Sequence, residues 1–251
     1  MTGLTSVTFR KRKADEIIRL ASEAELDGVE WGSDVHVPAG DAETAKKVGG
    51  ETAAAGLRVL SYGSYYRLCA RKDPEEAFAP LLKSAAALGA PNIRIWAGSK
   101  QPADAPDSYY ARAAEELRVI CGMAAAEGIR VSTEYHRGTL TQNAESTIKL
   151  VRLADCENFG TYWQPNPELN PAQNRTELRR LRPYLTNIHV FKWRGDDRRP
   201  LSEGREEWLD YIRTADADPE KTSYILEFVR DDSPEAFLND AKTLNEWIRG
   251  K

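Results

Sequence analysis

Four short apolar runs decide the fold of this chain: VSTEYH (131–136), TYWQPN (161–166), NIHVFKW (187–193) and YILEFV (224–229). Each run carries one polar residue near its end, and these are Glu134, Gln164, His189 and Glu227. The intervals between them are 30, 25 and 38 positions, and each interval has room for one helix followed by one strand. In a closed parallel barrel, residues at equivalent strand ends face the same end of one cavity. The pattern therefore predicts a barrel in which these four side chains meet.

The same alternation of apolar runs and amphipathic segments extends over the whole chain. We predict eight strands, near residues 4–9, 28–32, 58–64, 92–97, 130–136, 159–164, 187–193 and 223–229. Expected helix N-caps separate them at Asp41, Asp73, Asp107 and Ser233, and glycines that would end helices lie at Gly56, Gly89 and Gly128. Eight alternations without a break in composition predict an α/β fold, a (β/α)8 TIM barrel that forms a single domain over residues 1–251. The open dinucleotide-binding sheet loses support because no G-x-G-x-x-G follows the first strand.

Composition narrows the range of partners. The formal net charge is −4, which argues against a nucleic-acid surface, and no apolar run is long enough to predict a membrane span. The basic cluster 10–13 is interpreted as a solvated loop and first helical turn. Cys69, Cys121 and Cys156 lack metal-type spacing and are expected to be reduced thiols of a cytoplasmic protein. A small-molecule ligand is the expected partner, and a homodimer is left open.

Strand alternation predicts which side chains face the lumen. On the fifth strand, Glu134 shares a face with Ser132 and His136. A glutamate turned toward the helices would lose its hydration without compensation, so Glu134 should point inward. The same rule turns Gln164, His189 and Glu227 inward, and it applies to Glu30 and Arg94 on the second and fourth strands.

Buried charges need partners, and this set calls for a cation. Glu134 and Glu227, with a neutral His189 and the amide oxygen of Gln164, sum to −2 and would balance one divalent ion. The mixed oxygen and nitrogen donors suit Mn²⁺ first, with Mg²⁺, Co²⁺, Fe²⁺ or Zn²⁺ as alternatives. The competing interpretation is that each residue makes a separate structural hydrogen bond.

Further polar and aromatic residues lie at or beyond the predicted strand ends. As substrate contacts we predict Glu30, His36, Tyr62, Arg94, Trp96, His136 and Lys192. Rim packing or a solvated loop would use several of the same residues. Three long loops, 98–106, 164–174 and 194–204, follow strands on the face where barrel enzymes place their chemistry.

The chain resembles the xylose isomerase-like barrels, the sugar phosphate isomerase/epimerase group. The resemblance is carried by GVEWGSDVHVP (28–38), STEYHRGTLT (132–141), NIHVFKW (187–193) and ILEFV (225–229). It implies that Glu134, His189 and Glu227 hold one divalent metal. Gln164 stands where an aspartate is usual, and Pro167 stands where the family's epimerases often carry a histidine.

The resemblance implies a metal-dependent sugar or sugar phosphate isomerase or epimerase that works through an enediolate, with Glu134 and Glu227 as the acid/base pair. A second hypothesis keeps the site but eliminates water or a leaving group, as a lyase or dehydratase acting on a keto-sugar, keto-inositol or keto-glycoside. A third is a non-catalytic sugar-binding barrel or partner subunit. Three histidines and a negative charge argue against the family's endonuclease branch.

Overall fold

A computed structural model describes residues 1–218 and 222–250. Eight parallel strands close into a barrel in the order β1-β10-β7-β6-β5-β4-β3-β2, which confirms the predicted architecture. The barrel strands are β1 (Thr2–Thr5), β2 (Gly28–Gly32), β3 (Arg58–Arg67), β4 (Asn92–Trp96), β5 (Arg130–Thr133), β6 (Phe159–Trp163), β7 (Leu185–Val190) and β10 (Ser223–Leu226). Two further strands, β8 (Trp193–Arg194) and β9 (Asp197–Arg198), form an antiparallel hairpin within the predicted loop after β7.

The helices surround the barrel and bury one face each against it. They are α1 (Ala14–Glu23), α2 (Ala42–Ala54), α3 (Pro74–Leu88), α4 (Asp107–Ala126), α5 (Ala144–Ala154), α6 (Pro171–Leu181), α7 (Arg205–Ala215) and α8 (Pro234–Arg249). Asp41, Asp73 and Ser233 accept backbone N–H bonds at the predicted N-caps. The prediction for Asp107 is wrong, because Pro106 occupies the N-cap position and Asp107 is the first residue of α4. Among the described residues, no helix is both long and apolar enough to cross a membrane.

The first strand differs from the prediction of residues 4–9. It spans Thr2–Thr5, and Ser6–Phe9 form a short 3-10 helix. The Ser6 hydroxyl accepts a hydrogen bond from Gly32 N (2.8 Å), and the Thr8 hydroxyl accepts one from Phe228 N (3.1 Å). Side-chain oxygens therefore bond backbone groups that a longer β1 would have paired, and the chain turns away from the barrel wall.

The strand ends determine where the candidate site lies. Glu134, Gln164 and Glu227 are each the first residue after a strand, and His189 is the penultimate residue of β7. β5, β6, β7 and β10 follow one another around the barrel. The four residues therefore occupy one arc of its carboxyl-terminal mouth.

Candidate metal and active site

Four predicted residues meet at the mouth of the barrel. His189 Nδ1 lies 3.0 Å from Gln164 Oε1, 3.4 Å from Glu227 Oε2 and 3.8 Å from Glu134 Oε1. One donor atom each from Glu134, His189 and Glu227 lies within 4.8 Å of the others. All three residues are buried. The structure thus brings together the four residues that the strand-end pattern predicted to meet.

A carboxylate holds the second nitrogen of the His189 ring. Glu30 Oε1 lies 3.2 Å from His189 Nε2, and Tyr162 donates to Glu30 Oε2 over 2.7 Å. Glu30 has no solvent exposure. A proton on Nε2, bonded to Glu30, leaves Nδ1 as the nitrogen that faces Gln164 and the two other glutamates. Metal-binding histidines are commonly oriented in this way by a carboxylate on the opposite nitrogen.

Arg94 brings a buried positive charge into the same site. Its Nη1 bonds Glu134 Oε2 at 2.8 Å, and its Nη2 lies 4.0 Å from Glu30 Oε1. Gly63 on β3 makes room for this side chain, since a Cβ there would lie 2.9 Å from Arg94 Nη2. Arg94 therefore adds a positive charge that the sum of −2 drawn from the sequence did not include. With a neutral His189, as a bound cation would require, the net charge stays at −2 because Glu30 is also buried here and offsets Arg94.

Burial and the closely spaced charges shift the pKa values of the residues at this site. Burial would raise the pKa of Glu30, but the His189 ring and the Arg94 guanidinium lower it to about 2. Burial opposes the charged form of His189, yet the carboxylates of Glu227 and Glu30 raise its pKa to about 9. Burial and the repulsion of Glu134, partly countered by His189, raise the pKa of Glu227 to about 7. Glu227 is therefore the carboxyl group suited to take and give a proton near neutral pH.

The donor set fits a divalent ion. Two ligands that each lie about 2.1 Å from one ion are at most about 4.2 Å apart. The three distances from His189 Nδ1 fall below that limit, and the donors of Glu134 and Glu227, which lie within 4.8 Å of each other, would have to approach by about 0.6 Å at most to share the ion. A divalent ion with neutral His189 would bring the sum of Glu30, Glu134, Glu227 and Arg94 to zero. Carboxylate, amide and imidazole donors are typical ligands for Mn²⁺ and its neighbours in the first transition row.

A cavity of about 340 Å³ opens directly above these residues, a size typical of small-molecule sites. Its floor includes Arg94, Glu134, Gln164 and Glu227. Its walls are largely aromatic and are formed by Tyr65, Trp96, Tyr135, His136, Phe191, Trp193 and Phe228. The cavity thus combines a charged floor with walls in which aromatic rings alternate with polar side chains such as Arg10 and Arg137.

Three of the seven predicted substrate contacts line this cavity, namely Arg94, Trp96 and His136. The His136 ring packs on the Trp96 indole at 4.5 Å between centroids, with a tilt of 32°. Glu30 lies beneath the cavity, where it bonds His189, and does not line it. Instead of the predicted contact with substrate, Glu30 contacts His189, a candidate metal-binding residue.

The other three predicted contacts lie outside the cavity. Tyr62 is fully buried and donates to Val37 O (2.8 Å); it points away from the lumen because its neighbour Gly63 faces inward. His36 is buried, and its Nε2 lies 3.0 Å from Arg12 O. Lys192 forms an ion pair with Glu207 at 2.8 Å. The sequence rule failed here because partners distant in sequence determine where each side chain goes.

Several cavity residues were not predicted from the sequence. They include Val7, Arg10, Arg137, Gln142, Asn166 and Phe228. Of the three loops expected at the site, only 164–174 contributes lining residues, with Pro165, Asn166 and Pro167 next to Gln164. Phe228 follows Glu227 directly, so its position beside a predicted site residue was the available signal.

The fold and site define the class as a TIM barrel with a polar centre at the carboxyl-terminal ends of its strands. Within that class, the chain belongs to the xylose isomerase-like TIM barrel family, whose model matches residues 18–249. This confirms the resemblance inferred from the sequence. A comparison with curated proteins finds no significant match.

Solved structures share the fold at low sequence identity. The probable 3-DHS dehydratase AsbF from Bacillus anthracis has a TM-score of 0.82 at 20% identity and covers 98% of this chain and 99% of its own. L-ribulose 3-epimerase has a TM-score of 0.77 at 12% identity, covering 99% and 94%. The 3-keto-D-glucoside 4-epimerase YcjR from E. coli has a TM-score of 0.75 at 16% identity, covering 100% and 99%. Similarity at this level establishes the common fold.

Proposed function

We propose that this barrel is a divalent-metal-dependent sugar isomerase or epimerase, which moves a proton at a carbon next to the carbonyl group of a keto-sugar or its phosphate. The observation that carries the proposal is the group of donor atoms from Glu134, His189 and Glu227 within 4.8 Å of one another, below a cavity of about 340 Å³. Solved relatives in fold that are epimerases support it.

In this proposal Glu134, Gln164, His189 and Glu227 hold one cation, with Mn²⁺ as the first candidate. When bound, such an ion supplies Lewis-acid stabilisation of the negative charge that develops on the substrate oxygens. Glu30 keeps the His189 ring in the orientation that directs Nδ1 to the site.

The two glutamates are assigned to proton transfer. Glu227, whose carboxylate lines the floor of the cavity, removes the proton from the substrate carbon, which leaves an enediolate. Glu134, which carries its own proton on Oε1 because Oε2 is bonded to Arg94, donates that proton to the carbon, and exchange with water then restores both carboxyl groups to their starting protonation states. Arg94 also lines the cavity floor, so its guanidinium places a positive charge next to the substrate. Each positioned acid or base typically contributes about 10²–10⁴-fold in rate.

Elimination is a second candidate function, and a specific observation favours it. Because Arg94 bonds Glu134 at 2.8 Å, the two carboxyl groups are unequal, and a lyase or dehydratase needs only one base at carbon. Pro167, at the position where similar epimerases carry a histidine, points the same way. The substrate would be a keto-sugar, keto-inositol or keto-glycoside.

Hydrogen exchange in D₂O tests the shared first step. The purified protein with Mn²⁺ is incubated with ketoses, ketose phosphates, keto-inositols and 3-keto-glycosides, and products are followed by NMR and mass spectrometry. We expect deuterium at the carbon next to the carbonyl group. In a parallel incubation in H₂O, an isobaric product identifies an isomerase, and a product lighter by one water identifies a dehydratase.

Substitution of each glutamate by glutamine tests whether the deuterium exchange depends on Glu227 and Glu134. Glu227→Gln and Glu134→Gln should each lower the exchange rate at least 100-fold. The matched control is Glu206→Gln on the exposed face of α7, which should keep the wild-type rate. Binding of sugars without exchange would contradict the proposal and favour the non-catalytic barrel.

A further inference from the structure

Three aromatic rings form one wall of the cavity, and we call them the ring cluster: Phe191, Trp193 and Phe228. The centroids of Phe191 and Trp193 are 5.0 Å apart, and those of Trp193 and Phe228 are 6.3 Å apart. All three side chains line the cavity above Glu227. None of them coordinates or moves a proton in the proposed function, so their arrangement needs a separate explanation.

The backbone at Phe228 is in an unfavourable conformation. Its φ is +54°, in the left-handed region that glycine adopts easily and that costs other residues about 1–2 kcal/mol. Such conformations concentrate at ligand-binding sites. Phe228 follows Glu227 directly, and the left-handed turn there gives the ring a place in the cavity wall.

Two arginines pack against the ring cluster. The Arg198 guanidinium lies 4.8 Å from the Phe228 centroid, and that of Arg10 lies 5.8 Å from it. Arg198 also forms an ion pair with Asp232, and Arg10 forms one with Asp34 at 2.6 Å. These contacts hold the Phe228 ring in place, so the aromatic wall is ordered before any ligand arrives.

Trp193 has an unused hydrogen-bond donor. Its indole Nε1 is buried and has no partner among the described residues. A buried N–H group without an acceptor is costly. Trp193 lines the cavity, so a rotation of the indole that brings Nε1 to the cavity surface would let a ligand oxygen accept a hydrogen bond from it. An apolar ligand would leave the donor unpaired, whereas a hydroxyl or ether oxygen on a ring would not.

Phe228 and Trp96 stand on nearly opposite sides of the mouth, whereas Phe191 and Trp193 follow β7, two strands from β5. Phe228 follows β10, whereas Trp96 ends β4 and His136 follows β5, and these strands lie almost across the barrel from each other. The proposed reacting centre, with Glu134 and Glu227, lies between them. The cavity therefore has an aromatic surface on each side of the acid/base pair.

We propose that the ring cluster is a subsite for a second ring, joined by a glycosidic bond to the sugar that reacts. Aromatic faces pack against the apolar faces of rings, and the Trp193 N–H would donate to an oxygen of that ring or of the glycosidic link. The identity of the reacting sugar rests on the proposed function. The protein is accordingly a catalyst that prefers glycosides to free monosaccharides.

Ligand-observed NMR titration tests this preference without turnover. The probes are methyl β-glycosides, phenyl β-glycosides and β-linked disaccharides in the gluco, galacto and manno series, with Mn²⁺ replaced by Mg²⁺ to avoid paramagnetic broadening. We expect the phenyl glycoside or the disaccharide of at least one series to bind about tenfold more tightly than its methyl glycoside. Equal affinities in all three series would overturn the proposal.

Single substitutions test whether the ring cluster is responsible for the tighter binding of the larger glycosides. Phe228→Gly, which removes the ring and accepts the left-handed backbone, should reduce the ratio of affinities to about one. Trp193→Phe should keep part of the ratio, because it retains a ring and loses the N–H. Trp247→Ala on α8, outside the cavity lining, should keep the wild-type ratio. An unchanged ratio in Phe228→Gly would contradict the subsite. Failure of deuterium exchange would contradict only the proposed function, because this ratio is a binding measurement.

Discussion

The sequence predicts Glu30 as a substrate contact, whereas in the structure its side chain contacts His189 below the cavity. It lies on β2, 159 positions from His189 in sequence, yet their side chains are 3.2 Å apart. Its second oxygen accepts from Tyr162, whose hydroxyl also accepts from Asn187 (2.9 Å) and Asn92 (3.2 Å). A fully buried carboxylate with this many partners stays ionised. Glu30 therefore orients a candidate ligand and has no surface left for substrate.

The strain at Phe228 leads to a prediction about stability. Phe228→Gly and Phe228→Ala remove the same ring contacts, but only glycine adopts φ near +54° without cost. We expect the glycine variant to be more stable than the alanine variant by about 1 kcal/mol. Urea unfolding of the two proteins measures the difference. An alanine variant as stable as the glycine variant would mean that the backbone here is not strained.

Two adjacent glycines in α2 lead to opposite predictions. A Cβ at Gly49 would lie 2.4 Å from Leu88 O at the end of α3, whereas a Cβ at Gly50 meets no atom within 4 Å. Gly49→Ala should therefore destabilise the protein by about 1–3 kcal/mol through overpacking. Gly50→Ala should stabilise it by about 0.5–1 kcal/mol through higher helix propensity.

Thermal and urea unfolding of the two alanine variants provide the comparison, and each variant serves as the control for the other. If both substitutions shift stability in the same direction, α2 does not approach α3 through Gly49. The pair thus tests the packing of two neighbouring helices with one methyl group.

Asp240 connects α8 to the segment before α7 and makes stability depend on pH. It is buried, and its Oδ1 accepts from Leu201 N at 2.8 Å. Burial raises the pKa of Asp240 from 3.8 to about 6. A carboxyl group with a raised pKa in the folded state favours folding most below its unfolded pKa, and that contribution is lost as pH rises through about 6.

Asp240→Asn should remove this dependence, since an amide oxygen still accepts from Leu201 N and carries no charge. Relative to the wild type, the variant should gain roughly 1–3 kcal/mol in unfolding free energy between pH 4 and pH 8. Urea unfolding at both pH values measures the gain. The same difference from wild type at pH 4 and pH 8 would show that Asp240 does not titrate as inferred.

For the whole molecule, the sequence was sufficient to predict the closed barrel because strand–helix alternation is a local pattern repeated eight times. Strand ends were less accurate. β5 was expected to reach residue 136 and ends at Thr133, and β1 was expected at 4–9 and spans Thr2–Thr5. Both ends depend on hydrogen bonds between distant segments, such as that from Phe228 N to Thr8. The hydrophobic periodicity of the sequence gives no information about such contacts.

Some features of the candidate site could likewise be predicted from the sequence, and others could not. The meeting of Glu134, Gln164, His189 and Glu227 followed from equivalent positions on successive strands, whereas their roles as ligands and catalysts remain predictions. The contact between Arg94 and Glu134 and the placement of Tyr62, His36 and Lys192 outside the cavity depend on partners that spacing does not indicate. Side-chain direction near a strand end is decided by these contacts, as the inward Gly63 beside Tyr62 illustrates.

Calorimetric titration of EDTA-treated protein with Mn²⁺ is the most direct test of the proposed metal centre. We predict one saturable ion for each chain, with affinity lowered at least about tenfold in Glu227→Gln and in His189→Gln and unchanged in Glu206→Gln. No saturable binding by the wild-type chain, or the wild-type affinity in both site variants, would contradict the account.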